Sequence, residues 1–184
     1  EYWNALISGK SGIGPIKSFD AENLNVRIAG ELKDFDPLTY FNRKEIRKLD
    51  PFTLYHMVSA EEAILNSELN LEKENLDRIG VIIGTGIGGI QTLENEHGVY
   101  LERGQRRVSP FFVPRFIPNI ASGNLAIRFG LKGPNHTIIS ACASGTDAIG
   151  CAARTIQYGD ADIMITGGSE ASITGLTISG FANI

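Results

Sequence analysis

Thr137-Ile138-Ile139-Ser140-Ala141-Cys142-Ala143-Ser144-Gly145 is the stretch on which the reading of this chain turns. Residues 137–140 are expected to form a buried strand, being rich in β-branched side chains. A helix is expected to follow as far as Tyr158, with Ala148, Ile149, Ala152, Ala153 and Ile156 at helical spacing and Gly159 as its cap. Cys142 then falls where a strand hands over to a helix. A helix amino terminus presents unpaired N–H groups and the positive end of its dipole. Both favour a thiolate over a thiol, and the same N–H groups can hold an oxyanion as a thioester forms or breaks. The small neighbours Ala141, Ala143, Ser144 and Gly145 permit a tight turn and leave room for a substrate, following the logic of the nucleophile elbow. The competing reading is a small buried cysteine packed as a hydrophobe. Cys151 is read that way, since it lies mid-helix among Ala and Ile on the face opposite Cys142.

A cysteine nucleophile ordinarily works with a base or an imidazolium. His136 shares strand parity with Cys142, but the strand between them spans about 20 Å. His97 sits in the acidic run Glu94-Asn95-Glu96-His97 and reads as solvated, while His56 reads as a half-buried core histidine. None serves Cys142 by local spacing, so a partner has to come from a distant loop or from beyond these residues.

Further out, residues 79–83 form a second β-branched run, expected as a buried strand, that ends in Gly84-Thr85-Gly86-Ile87-Gly88-Gly89. A helix is expected from about Gln91 to Arg103. Gly84-x-Gly86-x-x-Gly89 between strand and helix matches the dinucleotide fingerprint, so an oxidoreductase is a rival reading. That fingerprint also wants an acidic residue about 20 positions on, at the end of a second strand. Glu102 has the spacing but lies in a helical stretch. The plainer reading is glycines that let helix and strand pack closely.

Asp50-Pro51 marks a helix start, expected to run to about Leu69. Pro110, Pro114 and Pro118 are expected to break the chain into a loop, ahead of a helix over residues 121–129 ended by Gly130. Residues 163–166 form another expected strand, followed by Gly167-Gly168. Residues 2–9 are expected as a helix, and short strands are expected around 26–29. Strands alternating with helices argue an α/β layered fold. Trp3, Leu6 and Ile7 fit one face of a helix already under way, and the far end, Phe181-Ala182-Asn183-Ile184, follows an apolar glycine-rich stretch. Residues 1–184 are therefore expected to be one piece of a longer protein.

Lys and Arg number 17 against 21 Asp and Glu, a net charge of −4. That argues against nucleic acid held by a general positive field. Two cysteines nine residues apart make no disulfide framework and suit a reducing cytoplasm. No apolar run approaches the roughly 20 residues of a membrane helix, and no signal peptide is visible. Against this acidic background Asn42-Arg43-Lys44-Glu45-Ile46-Arg47-Lys48 is basic, and Arg103, Arg106 and Arg107 form a second basic group. Such groups are either a solvated face or a dock for an acidic partner. No interleaved aromatics accompany them as nucleic-acid stacking would require.

The segments 42–50, 84–90, 108–133, 140–150 and 159–170 together resemble the elongating β-ketoacyl-acyl carrier protein synthases of bacterial fatty acid synthesis, most closely the KAS II type. Val108-Ser109-Pro110-Phe111-Phe112-Val113-Pro114-Arg115-Phe116-Ile117-Pro118-Asn119, followed by Ser140-Ala141-Cys142-Ala143-Ser144-Gly145, carries the resemblance most specifically. It implies a thiolase-like layered fold, a mixed β-sheet between helices, of which residues 1–184 are the amino-terminal half without the first strand. It implies a homodimer that condenses acyl and malonyl thioesters of acyl carrier protein, with no metal and no organic cofactor. By resemblance Cys142 is the nucleophile, and its backbone N–H supplies half of an oxyanion hole. Ile87 falls on the residue that gates the acyl pocket. Phe112, Val113 and Ile117 fall near the dimer contact and that pocket. Lys44, Arg47, Lys48, Arg106 and Arg107 match positions implicated in docking acyl carrier protein.

The same resemblance places two catalytic histidines, a supporting lysine and the other oxyanion donor in a second half, so these residues alone are not expected to run the full condensation. A carrier-binding partner subunit and a coenzyme A thiolase are the remaining alternatives. Cys142 argues against the first, and the basic groups with the proline-rich Phe segment argue against the second.

Overall fold

Polar, glycine-rich sequence near the amino-terminal end supports only short elements. The computed structural model describes residues 2–184, which divide into a unit of Pro37–Ala171 and a smaller one that joins the residues up to Asp36 to Ser172–Ile184. The smaller unit begins with α1 (Tyr2–Ile7), whose Trp3, Leu6 and Ile7 are exposed. Two-residue strands β1 (Gly14–Pro15) and β2 (Ile28–Ala29) pair antiparallel.

In the larger unit α2 (Arg43–Ile46) is fixed by a capping box, in which Asn42 and Glu45 satisfy one another's backbone N–H groups. Next comes α3 (Pro51–Asn66), capped by Asp50 with Pro51 in its first turn. It stops short of Leu69 because Glu68 takes a left-handed φ of 57° and the Ser67 hydroxyl donates to the Ile64 carbonyl. Then follow β3 (Ile79–Gly84), α4 (Ile90–Arg103), α5 (Phe112–Phe116), α6 (Ile120–Phe129), β4 (Asn135–Ile138), α7 (Ser144–Gln157) and β5 (Ile163–Gly168). The chain returns to the smaller unit with α8 (Gly175–Ala182), capped by the Thr174 hydroxyl. Among the described residues no helix is long and apolar enough to cross a membrane.

The three longer strands form one sheet in the order β4-β3-β5, and both pairings are parallel, with Val81 opposite Asn135 and Ile79 opposite Ile163. Every residue of β3 is buried, as an uninterrupted apolar run at the centre of a parallel sheet requires. Ile79, Val81 and Ile83 point to one face and join Ala60 and Ile64 of α3 and Leu125 of α6. Ile82 points to the other face and meets Ala148 and Ala152 of α7. Each buried Ile, Val or Leu among them contributes about 1.5–3 kcal/mol. The result is the expected α/β layering, with the sheet between helices.

Three expectations need correction. β4 occupies residues 135–138 rather than 137–140, and none of its residues is buried. Pairing starts early, since Val81 N–H donates to the Pro134 carbonyl, and stops early, since Ser140 N–H turns to the Ser144 hydroxyl. The proline-rich segment is not wholly a loop. Pro114 falls in the first turn of the five-residue α5, where a missing N–H costs nothing. Lastly, Cys151 is exposed, together with Ile149 and Ile156. The buried stripe of α7 is Ser144, Ala148 and Ala152, because the helix lies too close to the sheet for larger side chains.

Candidate active site

β3 and β4 end side by side, with Gly84 opposite Ile138. The crossover from β3 returns through α6 on one face, whereas that from β4 returns through α7 on the other. Such a switch point opens a crevice at the carboxyl ends of parallel strands, where α/β proteins bind their ligands. The loops 84–89 and 139–143 form its rims.

Residues Ala141–Ala143 make a single 3-10 turn before α7 begins at Ser144. The buried Ser144 hydroxyl shapes it by donating to the Ala141 carbonyl at 2.7 Å and accepting from Ser140 N–H at 2.9 Å. Ala141 is driven into the left-handed region, φ 52°, which costs a non-glycine residue about 1–2 kcal/mol. Cys142 is exposed on this turn. The cap position of α7, Ala143, makes no side-chain hydrogen bond, so no capping side chain engages the first-turn N–H groups beside Cys142.

Glycines seat this turn on the sheet. A methyl group at Gly84 would run into the Ser144 carbonyl, and one at Gly168 would come within 3.0 Å of Gly145 Cα. The amino end of α7 thus rests directly on the ends of β3 and β5. Loop 84–89 lies alongside, since a methyl group at Gly86 would sit 3.8 Å from the Ala141 carbonyl oxygen. Its far side meets the proline-rich segment: Gly89 N–H donates to the Phe116 carbonyl at 3.1 Å, and Gly88 packs on Pro118. Ile87, 37% exposed, therefore stands on a loop between the thiol turn and α5. In α5 Phe112 stacks on Phe116 at 5.8 Å and Val113 is exposed, and Ile117, just past its end, is half-buried.

Sequence reasoning assigned no role to Glu170. Its Oε2 accepts from Gly86 N–H at 2.6 Å and from Ile87 N–H at 3.2 Å, while the Thr85 hydroxyl donates to Oε1 at 3.4 Å. The one local signal was an acidic residue just past the Gly167-Gly168 pair, and its partners lie 83 to 85 residues away. The carboxylate also disposes of the dinucleotide reading. A protein anion already holds the loop N–H groups a pyrophosphate would need, and Glu102 lies on α4 rather than at a strand end.

The histidines stay apart from the thiol turn. His56 is buried in α3 with Nε2 lacking a hydrogen-bond partner, and burial lowers its pKa to about 4. His97 is exposed on α4, and His136 is exposed on β4 opposite Ile82. The basic residues Lys44, Arg47, Lys48, Arg106 and Arg107 are all exposed. Lys48 Nζ stands 5.7 Å above the Phe111 ring, which brings the end of α2 beside the segment that follows Arg106 and Arg107.

Comparison with known proteins matches residues 1–184 to the family model "Beta-ketoacyl synthase, N-terminal domain". The 3-oxoacyl-[acyl-carrier-protein] synthase 2 of Staphylococcus aureus is 47% identical over 180 residues, covering 98% of this chain and 45% of that protein. The chain thus spans less than half the length of this curated relative. A β-ketoacyl synthase from Burkholderia phymatum superposes with a TM-score of 0.84 at 27% identity, covering 98% of this chain and 45% of that one. A type II PKS ketosynthase, solved in complex with its acyl-carrier protein, gives a TM-score of 0.76 at 31% identity over 82% of this chain and 43% of that chain.

Proposed function

From the premise that this chain belongs to the β-ketoacyl synthase family, matched along its whole length by the model for the N-terminal domain, we propose that it is the amino-terminal half of a condensing enzyme of fatty acid elongation. Cys142 is the nucleophile of that enzyme. The observation that carries the assignment is an exposed thiol on a strained turn, at the uncapped end of α7 and at the carboxyl ends of β3 and β4.

The chemistry runs in two transfers. Cys142 Sγ attacks the carbonyl of an acyl-carrier thioester, the tetrahedral oxyanion collapses, and the carrier leaves as its thiol. Malonyl-carrier then loses CO₂, and the resulting enolate carbon attacks the Cys142 thioester. Cys142 leaves as thiolate, and the product is a 3-oxoacyl chain longer by two carbons. The backbone N–H of Cys142, on the turn that leads into α7, stabilises the oxyanion in both transfers as one half of the oxyanion hole. Ile87, Phe112, Val113 and Ile117 border the acyl chain. Lys44, Arg47, Lys48, Arg106 and Arg107 receive the acidic carrier, a role supported by their exposure and by the Lys48–Phe111 contact. The enzyme works in the cytoplasm as a homodimer.

The decisive experiment treats the intact protein with a fatty acyl-carrier thioester and maps the adduct by peptide mass spectrometry. The acyl mass is expected on the peptide holding Cys142, surviving Cys151→Ala and lost in Cys142→Ala. An adduct that persists in Cys142→Ala overturns the assignment.

A further inference from the structure

Resting on that reading, we infer that Glu170 is a positioning residue, which holds the loop bearing Ile87 in place and thereby sets which acyl chains reach Cys142. Three consecutive residues, Thr85, Gly86 and Ile87, each donate to this one carboxylate. Hydrogen bonds to an ionised acceptor are the stronger kind. At Gly86 the Glu170 carboxylate fills the space a side chain would take, 2.8 Å from a would-be Cβ.

Glu170 is itself well placed to act as an anchor. Its neighbour Ser169 donates its N–H to the Gly84 carbonyl at 3.0 Å and its hydroxyl to the Phe52 carbonyl at 2.6 Å. The backbone before Glu170 is therefore tied both to the start of loop 84–89 and to α3. Because Ile87 bonds through its own amide, the path of the backbone that aims its side chain depends on the carboxylate. Solvent can replace the exposed carboxylate at these N–H groups, so its removal frees the loop without unfolding the sheet.

The test compares Glu170→Ala and Glu170→Gln with the wild type in the intact protein. Gln keeps an oxygen for both N–H groups, and its amide NH₂ donates to Thr85 Oγ1. In Glu170→Ala, hydrogen exchange of the peptide spanning residues 84–89 is expected to accelerate at least about tenfold, with exchange in β3 unchanged. Acylation of Cys142 is measured with octanoyl- and hexadecanoyl-carrier thioesters. The ratio of the two kcat/KM values is expected to shift about fivefold or more in Glu170→Ala and to return close to the wild-type ratio in Glu170→Gln. Unchanged exchange, or an equal loss for both chain lengths, overturns the inference. A wild type that takes no acyl group at Cys142 overturns the acyl-transfer reading and chain selection together, while the exchange data still report whether Glu170 anchors the loop.

Discussion

Asp50 Oδ2 accepts two hydrogen bonds from Thr92, one from its amide at 2.9 Å and one from its hydroxyl at 2.6 Å. The other carboxylate oxygen accepts from Phe52 N–H at 3.2 Å, so one buried side chain ties the start of α3 to the start of α4. Asp50→Ala strands three donors and is expected to cost about 3 kcal/mol or more, whereas Thr92→Val removes one bond and costs about 1 kcal/mol. Urea denaturation of the intact protein measures both. Equal losses for the two variants would contradict the hub role of Asp50.

His56 supplies a pH dependence of definite sign. Burial lowers its pKa from 6.5 to about 4, so the native state keeps the imidazole neutral while the unfolded chain binds a proton. The stability it contributes is present above 6.5 and is lost as pH falls towards 4, roughly 3 kcal/mol in all. Asp50 acts in the opposite sense. Burial raises its pKa above 3.8, against the bonds from Thr92 and Phe52 and the charge of Arg115. Its contribution is complete below 3.8 and is lost as pH rises through the raised value. In His56→Leu the acid loss between 6.5 and 4 is expected to shrink by about the His56 share. Urea midpoints taken at intervals across that range test the sign, and a variant with the wild-type slope would refute it.

Gly84→Ala puts a methyl group into the Ser144 carbonyl, a backbone atom that cannot swing away. Overpacking of this kind costs about 3 kcal/mol and is expected to lift the first turn of α7, so acylation of Cys142 falls more than stability alone accounts for. Gly123→Ala, where nothing lies within 4 Å, is the matched control and is expected to be neutral or mildly stabilising. Thermal melts and acylation rates of the two variants make the comparison.

Replacing Lys44, Arg47 and Lys48 with Glu is expected to raise KM for the acyl-carrier thioester about tenfold while changing kcat little, since surface charge governs encounter. The wild-type KM is expected to rise with added salt as the charges are screened, and the triple variant to lose that salt dependence. A salt-insensitive wild-type KM would remove the docking role from these residues.

The layered core was readable because β3 writes its burial into six consecutive residues, and Asp50-Pro51 and Gly130 announce a helix start and a helix end locally. What escaped reading depends on distance along the chain. The end of β4 is decided by the Ser144 hydroxyl, a choice that strand propensity does not encode. Ile149 shares the helical spacing of Ala148 and Ala152, yet the approach of α7 to the sheet admits only Ser144, Ala148 and Ala152. Glu170 was missed because its three partners lie at the end of another strand.

Ala141 carries a consequence for engineering. A glycine there would accept φ 52° without strain, and a search guided only by melting temperature would favour it. The same glycine would widen the range of conformations open to the residue next to Cys142, so the thiol would spend less time in attacking position. Position 141 is thus a site where selection for robustness and selection for turnover pull in opposite directions.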